Sequence, residues 1–308
     1  LTVALLHQLL VRLGAGGASL PAALTAALGS SLWSTASRTL WQHGPAALAL
    51  TGTVFLLLPR PLPRWRAALA GVSAASLVAF RATDLVFALV VLAWVARHHL
   101  RRLAAFLPGP VVIGVLLVGY NWWFFGTVEG GQAEVERLHR AMHRVGGPWS
   151  GDLAAGHAGT LLSPNRGLLV FCPWVAVALA VAPASARGLA PWSLVRWLLV
   201  SLVPYGLVFS KYAVWWGGHC FGPRYWTDAV PLLAILLAFG LRWSWRNSRA
   251  VTLLFALTIV FSVFVHAVGA FCYPSSWNAH PVNVDVAHER LWDWRDTEVS
   301  RCLVEAFR

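Results

Sequence analysis

Residues 250–272 read AVTLLFALTIVFSVFVHAVGAFC, without one Asp, Glu, Lys or Arg. As a helix this run is long enough to cross a hydrocarbon core of about 30 Å. Just before it, residues 242–249 (RWSWRNSR) carry arginine and no acid. The same kind of turn recurs at 59–66 (PRPLPRWR), 97–103 (RHHLRRL) and 183–190 (PASARGLA), always between apolar runs. Asp and Glu are confined to the alternate connections: Asp84, residues 129–152, Asp228 and residues 285–305. Short basic turns empty of acids are what the positive-inside rule expects on the cytoplasmic side of a membrane. The acid-bearing connections are then expected outside, and function with them.

Composition points the same way. Charged residues make up 12% of the chain and hydrophobic ones 58%, against roughly 25% charged in a soluble domain. So few charges cannot cover a water-facing surface. Many of the 18 Trp fall near expected helix ends, among them Trp33, Trp65, Trp122, Trp123, Trp192 and Trp243. There an indole keeps its ring apolar and its N–H wet. The expected fold class is all-α: a polytopic integral membrane protein with about eight to ten membrane helices, counted from apolar run length. Residues 1–272 form the multi-span domain, with one large outer loop at 126–166. Residues 273–308 form an extracytoplasmic tail, in which Trp292, Val299, Leu303 and Phe307 mark one face of an amphipathic helix. Residues 65–80 and 85–96 reach only about 18 to 24 Å as helices, so they read as a re-entrant hairpin or a pair of short spans.

The formal charge of +12 does not indicate nucleic acid. Nearly half of the basic residues sit in the short turns, where anionic lipid attracts them, and no basic stripe interleaved with aromatics is present. Membrane lipid is the expected partner.

The segment richest in chemistry is 211–226, KYAVWWGGHCFGPRYW. Gly217, Gly218 and Gly222 let backbone approach a ligand. Lys211 and Arg224 supply positive charge suited to phosphate, Arg through its bidentate fork. Pro223 stands where the next helix begins, and its N-terminus favours an anion. The plainer reading is an interfacial loop with Arg224 paired to Asp228 one turn on. Asp84 beside Arg81 is a second candidate site, or else a self-neutralising pair in a helical turn. Glu129, beside Gly130 and Gly131, is a loop acid within reach of an acceptor. Glu136, His139 and His143 share a helical face, but Arg137, Arg140 and Arg144 interleave and oppose a cation, so no metal is expected. Cys172 lies in an apolar run. Cys220, Cys272 and Cys302 lie in outer segments, where one disulfide is allowed and the pairing stays open.

Trp215-Trp216-Gly217-Gly218, then Gly222-Pro223-Arg224-Tyr225 and an early Pro231 in the next apolar run, resemble the late outer loop of bacterial C-type membrane glycosyltransferases. These use polyprenyl-phosphate sugars and include protein mannosyltransferase-like and aminoarabinose transferase-like members. Residues 120–126 (YNWWFFG) and 163–169 (SPNRGLL) are similar to segments of uncharacterised members. The resemblance covers most of the chain from Ser31 onward. It implies transfer of a sugar from a polyprenyl-phosphate donor to a lipid, glycan or protein acceptor. The reaction would run without a cofactor on the extracytoplasmic face of the bacterial inner membrane, with the C-terminus outside. Arg224 and Lys211 are the expected donor-phosphate partners, and Trp215, Trp216, Gly217, Gly218, His219 and Tyr225 the expected pocket. The family's catalytic carboxylate lies in its first outer loop, upstream of Leu1, so the chain reads as the middle and C-terminal part of such an enzyme. Within it Asp84 and Glu129 are the candidates for that role. The alternative reading is a lipid-linked glycan transporter or flippase, or a non-catalytic scaffold.

Overall fold

The computed structural model describes the chain apart from residues 39, 40, 132, 133, 136, 139, 140, 142–145, 190, 191, 273, 274, 307 and 308 and the side chains of 275, 276, 305 and 306. The described residues form helices and turns, with no strand among them. Among them, four helical stretches are long and apolar enough to cross a membrane: Leu100–Phe125, Ser193–Lys211, Arg224–Asn247 and Arg249–Phe271. Shorter apolar helices include Thr2–Arg12, Gly16–Leu28, His43–Leu57, Leu153–Leu162 and Trp174–Leu189. Fewer helices reach spanning length than the about eight to ten expected from run length, because prolines and glycines cut the runs. The run expected at 167–182 is one case. It divides into Leu168–Phe171 and Trp174–Ser185, since Pro173 has no N–H to continue the first helix.

Arg224–Asn247 is the hub. Of its most apolar 18-residue window 89% is buried, against 11% for Leu100–Phe125. Its α-helical part, Val230–Asn247, packs against the helices Thr2–Arg12, Ser19–Leu28, His43–Leu57, Trp174–Ser185, Ser193–Val200 and Arg249–Phe271. Small side chains make this density possible, with Ala22, Ala23, Ala26, Ala46, Ala47, Ala67 and Ala70 wholly buried. Small residues let helix backbones approach one another. Leu100–Phe125 meets the bundle at one such point. A Cβ on Gly71 would lie 2.0 Å from the Phe106 carbonyl oxygen, so only glycine fits there.

The bundle has two chemically distinct ends. At one, Arg102 Nε donates to the Leu62 carbonyl at 2.7 Å and Trp192 Nε1 to the Leu13 carbonyl at 3.1 Å. The Arg242 guanidinium donates to the Gly14 carbonyl, and Arg12 stacks over Phe55. Three of the four acid-free turns meet in these contacts. At the other end gather His43, Arg81, Asp228, the 146–152 segment and the tail. Helix His43–Leu57 joins the two, its ends separated by about 21 Å at 1.5 Å per residue.

The tail departs from expectation. Its last helix is Glu298–Ala306, while Trp292 ends a separate 3-10 turn, His288–Trp292, and rests against Trp215. The four positions therefore do not lie on one helix. Val299 packs on the core, and Phe307 lies outside the described residues. A disulfide joins Cys272 to Cys302, fastening this helix to the end of Arg249–Phe271, and Cys172 and Cys220 are buried free thiols.

Candidate functional site

At the carboxylate-bearing end, Asp228 is wholly buried at the start of the hub helix. Its Oδ1 accepts from His43 Nδ1 at 2.8 Å and its Oδ2 from Arg81 Nη1 at 2.5 Å. The Tyr205 hydroxyl lies 3.5 Å from Oδ2 and 3.0 Å from the Tyr225 carbonyl. The Arg81 guanidinium lies over the rings of Phe209 and Tyr225. Arg224 Nε points at His43 Nε2 at 3.3 Å. The closest group to His43 Nδ1 is the Asp228 carboxylate, which accepts, with Arg81 Nη1 farther off at 3.3 Å, so the proton sits on Nδ1 and Nε2 accepts from Arg224. A neutral imidazole thus bridges a buried carboxylate and a second arginine.

The expected pairings are redistributed. Residues Arg224–Ala229 form a 3-10 turn, in which residues four apart no longer share a face. Asp228 therefore turns inward to Arg81, and among the described residues no carboxylate lies within ion-pair distance of Arg224. The latter stacks on Trp41, 3.7 Å from the ring centre, and donates Nη1 to the Gly217 carbonyl at 3.1 Å. Arg81 does not pair with Asp84 in a helical turn either. Its backbone is extended (φ −156°, ψ 114°), ending helix Arg64–Phe80 and swinging the side chain toward Asp228. Asp84 is buried in the following 3-10 turn beside Tyr205, with Arg81 and Asp228 the charges near it.

Above this cluster opens a cavity of about 680 Å³. Arg81, Arg224, His219, Asn283 and Asp285 are among its polar lining residues, and Phe80, Val208, Phe209, Tyr212, Tyr225 and Trp149 among its apolar and aromatic ones. Gly217 and Gly218, at φ 78° and 67°, form the turn that brings their own backbone to the wall, a conformation that favours glycine. The 146–152 segment closes one side, where Ala213 N donates to the Pro148 carbonyl at 2.7 Å and Trp149 meets Tyr212 edge-on.

Of the residues expected from the sequence, Arg224, Gly217, Gly218, His219 and Tyr225 line this cavity. Trp215 and Trp216 do not. Both are buried, and Trp216 Nε1 donates to Asp285 Oδ1 at 2.7 Å, so they hold the wall from behind. Lys211 is exposed at its helix end and donates to the Gly151 carbonyl at 2.9 Å. Glu129 is an exposed turn residue, and neither it nor Lys211 or Asp84 is among the residues lining the cavity. Glu136, His139 and His143 lie outside the described residues. Among those described no metal-holding cluster of His, Cys, Asp or Glu is present.

A second buried pair underlies the glycine turn. Arg166 and Glu298 approach to 2.5 Å, both almost fully buried. Arg166 also donates to the Trp216 carbonyl at 2.8 Å, to Asn278 Oδ1 at 2.8 Å and to the Gly218 carbonyl at 3.2 Å. Glu298 Oε2 accepts from the Gly222 N–H at 3.2 Å. Burial pushes the Glu298 carboxyl above its ordinary value, and Arg166 opposes that shift. Ser163 and Asn165 bind the tail as well, through the Leu291 and Arg290 carbonyls. The polar residues of the 163–166 segment thus clamp the tail to the cavity wall. His43, Asp285 and Glu298 were missed by sequence reasoning. His43 stands just before an apolar run, where a polar group that becomes buried needs a partner, while Asp285 and Glu298 sit among polar residues that carry no such signal.

Comparison with protein-family models, with curated proteins and with solved structures finds no match to this chain.

Proposed function

We propose that the chain is a polytopic membrane protein whose carboxylate-bearing end faces the extracytoplasmic side, and that its cavity binds a polyprenyl-phosphate-linked sugar for transfer to a lipid, glycan or protein acceptor. The observation that carries the reading is Arg224, a partly buried cation on the wall of an amphiphilic cavity, with no carboxylate at ion-pair distance among the described residues. A phosphate would supply the missing charge through bidentate hydrogen bonds. The apolar side chains Phe80 and Val208 suit an isoprenoid, and the rings of Trp149, Tyr212 and Tyr225 suit a sugar face. Two further features favour the orientation. The arginine-rich turns collect at the other end of the bundle, where the positive-inside rule puts the cytoplasm. The Cys272–Cys302 disulfide belongs to an oxidising compartment.

The departing lipid phosphate would be stabilised by Arg224, with Arg81 also on the cavity wall. The test is binding of polyprenyl phosphate to the full chain in lipid nanodiscs, followed by turnover of polyprenyl-phosphate hexoses. Arg224→Ala is expected to weaken phosphate binding by about tenfold or more, as loss of a charge-assisted pair does, with the thermal unfolding midpoint retained. Undiminished binding by that variant removes Arg224 from the site.

A further inference from the structure

Three contacts fix the Arg224 side chain, and none of them cancels its charge. Nε donates to His43 Nε2 at 3.3 Å, Nη1 donates to the Gly217 carbonyl at 3.1 Å, and the guanidinium lies 3.7 Å from the centre of the Trp41 ring. A carboxylate stands behind the first contact. His43 Nδ1 donates to Asp228 Oδ1 at 2.8 Å, while Arg81 Nη1 holds Oδ2 and lies 3.3 Å from the same ring nitrogen. His43 and Asp228 are wholly buried, and the imidazole stacks on Trp41 with the ring planes 19° apart. His43 opens its helix and Asp228 lies in the turn leading into the hub, so the contact is made where those two elements pack. With one ring nitrogen engaged by Asp228 and the other by Arg224, the imidazole is fully committed to holding its neighbours.

We propose that His43 is the positioning residue of the phosphate site, an assignment that rests on the phosphate-binding reading above. It is a neutral spacer that passes the hold of Asp228 on to Arg224 while keeping carboxylate and guanidinium apart. A carboxylate in direct contact with Arg224 would orient it equally well, but it would also occupy the bidentate edge that a phosphate needs. The imidazole removes that competition. It accepts a single N–H, and it sets the Asp228 charge back by the width of a ring, weakening an attraction that falls with distance. Asp228 still polarises the ring through Nδ1–H, which strengthens Nε2 as an acceptor. The charge of Asp228 is itself answered by Arg81. The long Arg224 side chain is therefore ordered before a ligand arrives, and less binding free energy goes into fixing it. Trp41 serves the same end by stacking on imidazole and guanidinium together.

The experiment measures binding of polyprenyl phosphate, and of uncharged polyprenol, to the full chain in nanodiscs of phosphatidylethanolamine and phosphatidylglycerol. His43→Asn keeps a donor for Asp228 but is too short to reach Arg224. It is expected to weaken phosphate binding about tenfold, as far as Arg224→Ala does, with polyprenol binding and the unfolding midpoint unchanged. His43→Gln, whose longer amide brings an oxygen to Arg224, should restore most of the affinity. The double variant of His43→Asn with Arg224→Ala should bind no worse than Arg224→Ala alone, because the two residues act as one unit. Nitrogen NMR of wild-type protein with isotope-labelled histidine, which depends on no variant folding, should show His43 protonated at Nδ1 and bare at Nε2. Wild-type affinity in His43→Asn, His43→Gln as weak as His43→Asn, additive losses in the double variant or an Nε2-protonated ring each overturns the positioning role. With Arg224→Ala still weak, those results leave the phosphate reading standing. Wild-type protein that binds polyprenyl phosphate no better than polyprenol, or Arg224→Ala as tight as wild type, overturns both.

Discussion

The two ends of the bundle use arginine in opposite ways. At the end where the acid-free turns meet, Arg102 and Arg242 donate to backbone carbonyls, and among the described residues no carboxylate pairs with them. At the other end Arg81 and Arg166 are buried against Asp228 and Glu298. The residue type is the same and the consequences differ. A partly wet arginine that caps a carbonyl contributes about one ordinary hydrogen bond. A buried arginine is one half of a pair whose other half cannot stand alone in an apolar medium. The first kind ties turns together, and the second supports a cavity wall.

The contrast is most exposed to test at Arg81. Arg81→Ala leaves Asp228 buried without its arginine, with His43 and the Tyr205 hydroxyl beside it, and is expected to destabilise the protein by about 3–5 kcal/mol. The unfolding midpoint in detergent reports it, and a midpoint near wild type would mean that the buried pair is not structural. Glu298→Ala strands Arg166 in the same way and should cost about 3 kcal/mol. Because Glu298 also holds the Gly222 N–H, proteolysis of the tail should quicken in parallel. Unchanged protease resistance would detach the tail from the cavity wall. At the opposite end Arg102→Ala removes the bond to Leu62 and should cost only about 1 kcal/mol. A loss as large as that of Arg81→Ala would erase the distinction between the ends. Lys211→Ala, at an exposed side chain off the cavity, should shift stability by no more than about 0.5 kcal/mol and leave polyprenyl-phosphate binding as it is. A clear loss of binding would return Lys211 to the site.

Sequence and structure agree best where the signal is periodic or compositional. The long apolar runs became helices because a backbone among apolar side chains must satisfy its own hydrogen bonds, and the run before Pro59, Pro61 and Pro63 ends its helix at Leu57. Arg224 and the Gly217–Gly218 turn were legible because cation, glycine pair and helix start lie within eight residues of each other. Asp285 was not, since it meets His219 across 66 positions of chain, and Trp216 across 69. His43 was not legible either, since its partner Asp228 lies 185 positions away. Trp215 and Trp216 misled because an indole beside a glycine turn serves equally as pocket wall or as packing. Burial distinguishes the two, and burial is a property of the neighbours.

By itself the sequence determined that this chain is helical, that its apolar runs alternate with basic and acid-bearing turns, and that one glycine-tryptophan turn carries concentrated chemistry. These follow from side-chain hydrophobicity and local backbone preference, which act over a few residues. Only the tertiary structure decided the partners. Asp228 faces Arg81 rather than Arg224, Glu298 reaches Arg166, and Asp285 backs His219. A charge removed from water must find its counter-charge wherever the packed helices bring one, and that choice is made by the fold as a whole.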